Sequence, residues 1–242
     1  MRRQAISELL DTDSGTPAEI SSALSDLRFI NWAFGGLTTT GTLIERVAQE
    51  SGKRSLSLLE VAAGSGYVPK AVQHRLQAEG IHLDVTLLDR AWSHLAAGHN
   101  GNSASANGLR RVAGDALALP FAENSFDLVS CNLFVHHLSP PQTVQFVTEA
   151  LRVGRTAVLI NDLVRSNLHL ALVYAGLPLF RSRITWHDAP ASVRQSYTRS
   201  EMQNVLEQTQ AARIEIRNHY LFRMGAIVWK APGHKLEGAC ST

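Results

Sequence analysis

The chain has little cysteine, no long apolar run and almost no net charge, and each shortage argues against a class of protein. Cys131 and Cys240 are the only cysteines in 242 residues, and neither belongs to a CxxC pair. That composition leaves no disulfide framework and no cysteine zinc cluster. No apolar stretch approaches the roughly 18 residues of a membrane span, so no stable membrane insertion is expected. The opening residues carry two arginines without an apolar core, and no secretory signal is read there. Lys+Arg 23 against Asp+Glu 21 leaves +2, too balanced for a nucleic-acid surface. Repeats and low-complexity blocks are also missing. What is present is a globular mixture, 45% hydrophobic and 18% charged, which suits one large domain. The reducing cytoplasm is the expected compartment, and oligomeric state is not readable.

Residues 1–17 read as a polar, poorly ordered arm. Ile20, Leu24, Leu27, Ile30 and Phe34 then recur at helical spacings, Gly35 and Gly36 interrupt them, and Leu43, Ile44 and Val47 resume. The segment 18–50 is therefore read as two helices. From residue 55 short apolar runs alternate with amphipathic ones. Strands are expected at 55–63, 82–89, 109–115, 125–135 and 155–164. Helices are expected at 67–80, just after Asp89, and at 140–154, where Pro140 and Pro141 stand near the first turn. Such alternation predicts a parallel sheet covered on both faces, in a domain spanning 51–231. The runs 213–221 and 223–230 are too close for a crossover helix and are expected to pair as an antiparallel hairpin. Between sheet and hairpin lie an unusually apolar segment (167–180), an irregular Arg- and His-rich connection and a helix from about residue 199. The tail 232–242 reads as polar and frayed.

The sharpest chemical signal is LLEVAAGSGYVPKAV, an apolar strand running through Gly64-Ser65-Gly66 straight into a helix. Small residues let the backbone approach a ligand, and the helix start presents free N–H groups. A tight turn without a ligand uses the same residues. Asp89 closes the second strand, 23 residues past Gly66. There a carboxylate can accept both hydroxyls of a ribose, or merely cap the next helix. Asp115, in Gly114-Asp115-Ala116, can accept from the exocyclic amine of a base while Ala116 offers a backbone N–H to a ring nitrogen. All three turns fall at the carboxyl ends of expected strands, where open α/β sheets bind ligands.

The ExAxGxG pattern at 60–66, Asp89, Gly114-Asp115-Ala116 and LPFAENSFDLV at 119–129 resemble the S-adenosylmethionine-dependent methyltransferases of the Rossmann-like class. Within that class the chain is similar to small-molecule members like the ubiquinone/menaquinone methyltransferases, over about residues 55–164. The resemblance implies an α/β, doubly wound, mostly parallel seven-stranded sheet of order 3-2-1-4-5-7-6 with the last strand antiparallel. It also implies that 18–50 forms a helical lid and that the cofactor is S-adenosyl-L-methionine. Glu60, Ala62, Gly64 and Gly66 would meet its amino-acid part, Asp89 its ribose and Asp115 its adenine. Arg90 and Ala116 would flank the purine, and Asn132 would sit beneath the methionine moiety. One departure is Ala62, where the family usually has glycine; its methyl is tolerated only if φ stays negative. A nicotinamide dehydrogenase shares the turn and the acid, but its GxGxxG needs glycine where this chain has Pro69. A non-catalytic binding module keeps the same fold and differs only in lacking turnover.

Methyl transfer needs an aligned nucleophile, and a phenol or enol acceptor gains from a base. His136 and His137, beyond the fourth strand, are the candidates. His137 is preferred as the one nearer the loop; the alternative is a pair of helix-end histidines without a role. His187-Asp188 suggests an oriented imidazole, although adjacent residues rarely face each other. Tyr197, Arg181 and Arg183 either bind an anionic or phenolic group or lie idle at the surface. Cys131 reads as a small apolar residue of a buried strand. Segment 167–180 is most simply a core helix, and otherwise the wall of a pocket within an apolar cap at 165–198. Asn31, Trp32 and the glycine pair would let a lid close over a small acceptor. No His/Asp/Glu cluster shows the spacing of a ligand set, so no metal is expected. The expected reaction moves a methyl group to oxygen, with carbon second, of a hydrophobic small molecule such as a phenolic lipid, quinone precursor or polyketide.

Overall fold

A computed structural model describes residues 1–12, 14–97 and 109–231; the expected tail, with Cys240, lies outside the described residues. Seven strands form one sheet in the order β3-β2-β1-β4-β5-β7-β6. β1 (Ser55–Val61), β2 (His82–Asp89), β3 (Arg110–Ala113), β4 (Phe126–Asn132) and β5 (Gly154–Leu163) run parallel. β6 (Arg213–His219) and β7 (Arg223–Trp229) form the hairpin, and β7 is antiparallel to both of its neighbours. The expected order and the single reversed strand are both present.

The helices are α1 (Pro17–Ala33), α2 (Gly36–Ser51), α3 (Tyr67–Ala78), α4 (Trp92–Ala97), α5 (Pro140–Val153), α6 (Asn167–Gly176), α7 (Arg183–Gln195) and α8 (Arg199–Leu206). Reciprocal capping boxes start three of them: Thr16 with Glu19, Ser139 with Gln142, and Thr198 with Glu201. Because strand side chains alternate, adjacent residues feed two separate cores. Leu58, Leu128, Leu159 and Ile227 pack with Ile44, Val47, Val72 and Leu76 of α2 and α3. Leu59, Val129, Val158 and Val228 pack with Phe146, Ala150, Met202 and Leu206 of α5 and α8. Burying each such side chain is worth about 1.5–3 kcal/mol, which holds the rim of strand ends rigid.

Four expectations need correction. The expected lid spans 18–50, but α2 buries Leu43, Ile44 and Val47 on the sheet, leaving α1 alone over the strand ends. Residues 1–12 are not a loose arm: Gln4 N–H donates to Arg194 O, and the N–H groups of Leu9 and Leu10 donate to the Asp188 carboxylate. The connection at 181–198 is mostly the helix α7, capped by Ser182 and holding Pro190 within it. Its buried face includes Asp188 and Gln195, polar groups that hid the amphipathic pattern. Finally, α6 is no core helix, since Leu168 and Leu172 are at least half exposed.

Candidate active site

The carboxyl ends of the parallel strands open into a cavity of about 840 Å³. Glu60, Ala62, Gly64, Asp89, Arg90, Asp115, Ala116, Asn132, His136 and His137 all line it. Ten of the eleven residues singled out for cofactor or catalysis thus converge. The eleventh, Gly66, is a packing glycine: at φ +71° an added Cβ would meet Leu87 Cδ1 at 2.5 Å.

Each turn is held by its neighbour. Gly64 N–H donates to Asp89 Oδ2 at 2.7 Å, and Ala91 N–H donates to Asp89 Oδ1 at 2.9 Å. Ala63 N–H reaches Leu88 O and Gly114 N–H reaches Asp89 O. Asp115 accepts from Leu117 N–H at 2.9 Å. A carboxylate has about four acceptor positions, so both aspartates keep capacity for a ligand. Ala62 has φ +53°, which overturns the expectation of negative φ and stores about 1–2 kcal/mol of left-handed strain. Gly64, at φ +52°, has open space where a Cβ would stand. Glu60 is fully buried beside the Ser130 hydroxyl, and burial pushes its carboxyl up to about 7 against that hydrogen bond.

Asn132 belongs to a second buried network. Arg223, at the start of β7, donates to Asn31 Oδ1 at 3.0 Å, Asn132 Oδ1 at 3.2 Å, Asn161 Oδ1 at 3.3 Å and Phe34 O at 3.2 Å. Burial lowers this guanidinium to about 10, with Asp162 opposing. Asn31 thus ties α1 to the sheet.

At the other end of the cavity, His136 Nδ1 and Asp162 Oδ1 are 2.6 Å apart, and His136 N–H donates to Asp162 Oδ2. Burial alone would discharge this imidazole, but Asp162 and Glu8 lift it to about 10. His137 Nδ1 meets Asp11 Oδ2 at 2.8 Å. Glu8 approaches both rings, 3.6 Å from His136 Nε2 and 4.0 Å from His137 Nε2. No ligand-set spacing exists along the chain, yet in the fold the N-terminal arm brings Glu8 to the histidine pair. Spacing along the chain could not reveal it. Asp162 did leave a signal, the single acidic residue of the strand run RTAVLINDLV.

Residues 59–159 match the family described as methyltransferase domain. Over those residues this Rossmann-like chain is similar to methyltransferase domains. It is 32% identical over 123 residues to a protein named ubiquinone/menaquinone biosynthesis C-methyltransferase UbiE from Roseobacter denitrificans, covering 48% of this chain and 46% of that protein. A namesake from Ruegeria matches with the same identity and coverage. The chain spans about half the length of these curated relatives. Among solved structures, a putative S-adenosylmethionine-dependent methyltransferase from Methanococcus maripaludis superposes with TM-score 0.61 at 16% identity, over 89% of this chain and 95% of that one. An S-adenosylmethionine-dependent methyltransferase from Aquifex aeolicus gives 0.56 at 17% identity, over 77% and 89%. These two show the fold.

Likeness to a methyltransferase domain favours S-adenosylmethionine over the nicotinamide cofactor weighed from Pro69. The residues present fit it: acceptors at Asp89 and Asp115 suit hydroxyls and an amine, and a buried carboxyl at Glu60 suits an ammonium. Outside the matched residues 59–159, α1, α6 and α7 build the rest of the cavity with Leu27, Ile30, Leu172, Val173 and Ile184. His187 Nδ1 does meet Asp188 Oδ1, at 2.7 Å, contrary to the expectation for adjacent residues. Yet Asp188 also anchors the arm, and His187 is not among the cavity residues. Tyr197 is buried, bonded to Thr143 and Leu138 O beneath Arg3. Arg183 pairs with Glu19 at the surface. Cys131 is buried in β4 as expected. No helix among the described residues is long and apolar enough to cross a membrane.

Proposed function

We propose that the chain transfers a methyl group from S-adenosylmethionine to a hydrophobic small molecule bearing a phenol or enol hydroxyl. The observation that carries this reading is a single cavity with two unlike ends: a rim of turns with Asp89 and Asp115, and an apolar chamber closed by the Glu8–His136–His137 cluster. S-adenosylmethionine, when bound, supplies a methyl group already activated by its sulfonium.

The chain's own residues supply placement and proton handling. Asp89 accepts from the ribose, Asp115 with Ala116 receives the adenine and Arg90 lies along the purine. Glu60 and the 62–66 turn take the amino-acid part, and Asn132 supports the methionine moiety from below. Ile30, Phe34, Leu172 and Val173 line the chamber and exclude water from the reacting atoms, which strengthens every charge interaction inside. The acceptor hydroxyl faces the histidine cluster. His137 touches it as the more open ring, and His136, clamped by Asp162, positions the pair. Removing the hydroxyl proton activates the oxygen first and the ring carbon beside it second. The relatives' name specifies C-methylation, so both products belong in the assay.

The lid is α1, the cap is α6 with α7, and residues 51–231 form the methyltransferase unit. A small acceptor fits this largely apolar cavity better than a nucleic acid. Thermal-shift titration with S-adenosylhomocysteine and with NADH tests the cofactor, and a shift with NADH alone rejects the reading. Mass spectrometry on a panel of prenylated phenols, quinols and aromatic polyketides tests the acceptor by the gain of one methyl group. Fragmentation then separates O- from C-methyl products.

A further inference from the structure

The cluster at the acceptor end has the build of a metal centre. Glu8, His136 and His137 each present one ligand atom, and these atoms all lie within 4.8 Å of one another. Tetrahedral ligands at zinc distances stand about 3.3 Å apart, so a rotation of the Glu8 carboxylate and small ring shifts close the set. His136 is 2% exposed, and its Nε2 has no hydrogen-bond partner. That atom faces Glu8 Oε1 at 3.6 Å, too far for a hydrogen bond. A buried ring nitrogen that faces a carboxylate without a hydrogen bond leaves a gap that an ion between the two would fill.

The outer partners point the same way. His136 Nδ1 is bound to Asp162 at 2.6 Å and His137 Nδ1 to Asp11 at 2.8 Å. Both rings are therefore held by a carboxylate behind and turn Nε2 toward Glu8 in front. Carboxylate–histidine pairs of this kind orient metal-binding imidazoles and raise their basicity. Glu8 is the group that both Nε2 atoms share.

We propose that Glu8 and the Nε2 atoms of His136 and His137 bind one divalent transition-metal ion of the zinc type, with an open position facing the cavity. Imidazole and carboxylate ligands suit zinc and cobalt, and three protein ligands with one open site mark a reactive rather than a purely structural centre. The ion displaces any proton on the ligand nitrogens, so binding releases protons. Its role rests on the methyl-transfer reading: with the ion bound, the acceptor hydroxyl meets the open position instead of the His137 ring, and is oriented and ionised there, its proton passing to water. Binding of the ion does not depend on that reading.

Calorimetric titration of chelator-treated full-length protein with ZnCl2 tests the site, with visible absorption of the Co2+ form as a second readout. Expected is one equivalent per chain and Co2+ d–d bands of a low-symmetry site. Glu8→Gln and His137→Gln should each lower zinc affinity at least about tenfold, and Asp11→Asn, which leaves all three ligands in place, by a similar factor. His74→Gln, on the outer face of α3, should change nothing. S-adenosylhomocysteine binding by each variant certifies its fold. Zinc that fails to saturate at one equivalent overturns the site, as does binding indifferent to Glu8→Gln and His137→Gln. If zinc binds but S-adenosylhomocysteine does not, the metal centre stands and the methyltransferase reading falls. The reverse result removes the metal alone.

Discussion

Asp89 Oδ2 accepts the backbone N–H of Gly64 at 2.7 Å, so the end of β2 and the turn after β1 are one hydrogen-bonded unit. Ala63 N–H to Leu88 O and Gly114 N–H to Asp89 O extend the same unit across the rim. Cofactor contacts proposed for three loops thus rest on a preset frame rather than on three independent loops. Preset contacts cost less ordering on binding.

Replacing Asp89 by Ala removes the acceptor for two hydroxyls and the tether of Gly64. Hydrogen bonds to a charged group are worth about 1.5–3 kcal/mol each, so affinity for S-adenosylhomocysteine should fall by about 100-fold or more. Calorimetry on a variant with unchanged circular dichroism checks this. A loss below about fivefold would remove Asp89 from the binding set.

Ala62, at φ +53°, carries strain that glycine does not. Ala62→Gly should raise the unfolding free energy by about 1 kcal/mol, partly offset by the entropy of the unfolded chain. Gly64→Ala should have the opposite sign and place a methyl in the cavity, weakening the cofactor as well. Urea denaturation of both variants decides; a stabilised Gly64→Ala would contradict the geometry.

Glu60 sets a pH dependence. Burial raises its folded pKa to about 7 from 4.5, so between those values the folded state binds more protons than the unfolded one. Its contribution to stability is therefore lost as pH rises through that window, by about 3 kcal/mol in all. Glu60→Gln should remove this slope and stabilise the protein at pH 8. If Glu60 meets the cofactor ammonium, binding releases its proton, and wild-type affinity should rise between about pH 6 and 8. Affinity that is flat with pH in the wild type would separate Glu60 from the ammonium.

Arg223 is buried among three asparagines of α1, β4 and β5. Arg223→Met leaves their oxygens short of donors and should cost about 2–4 kcal/mol. Because Asn31 is the link to α1, hydrogen exchange across 17–33 should quicken more than exchange in β4. Equal acceleration in both would mean global destabilisation without a lid effect.

Asp188 holds the N–H groups of Leu9 and Leu10 at 2.9 and 3.1 Å. Asp188→Ala should free the segment that carries Glu8 and Asp11 into the cavity. Expected is a fall of about tenfold in kcat/KM for the acceptor with S-adenosylhomocysteine affinity within twofold of wild type, since the rim turns are untouched. Loss of cofactor affinity instead would show that the arm supports the whole cavity.

The interior strands were legible because they are covered on both faces and run mostly apolar, as in LLEV and DLVSC, while their order followed only from the family resemblance. The hairpin was legible from the brief gap between 221 and 223. Helix α7 was not, because Pro190 and the buried polar Asp188 and Gln195 break the pattern that marks an amphipathic helix. The exposed face of α6 was misread for a related reason: apolar composition reports that a segment avoids water, not whether protein or a cavity shields it. His136 and His137 were visible as candidates, yet their surroundings were not.

Local chemistry alone settled the turns and the strands, since glycine spacing, strand-end acids and apolar alternation act over a few residues. The cluster of Glu8, His136, His137, Asp11 and Asp162 is another matter. It exists because β5 runs beside β4, placing Asp162 behind His136, and because α7 pins the arm that delivers Glu8 and Asp11. Electrostatic energies depend on separations in space and on burial, and for partners so far apart along the chain only the packed fold sets either one.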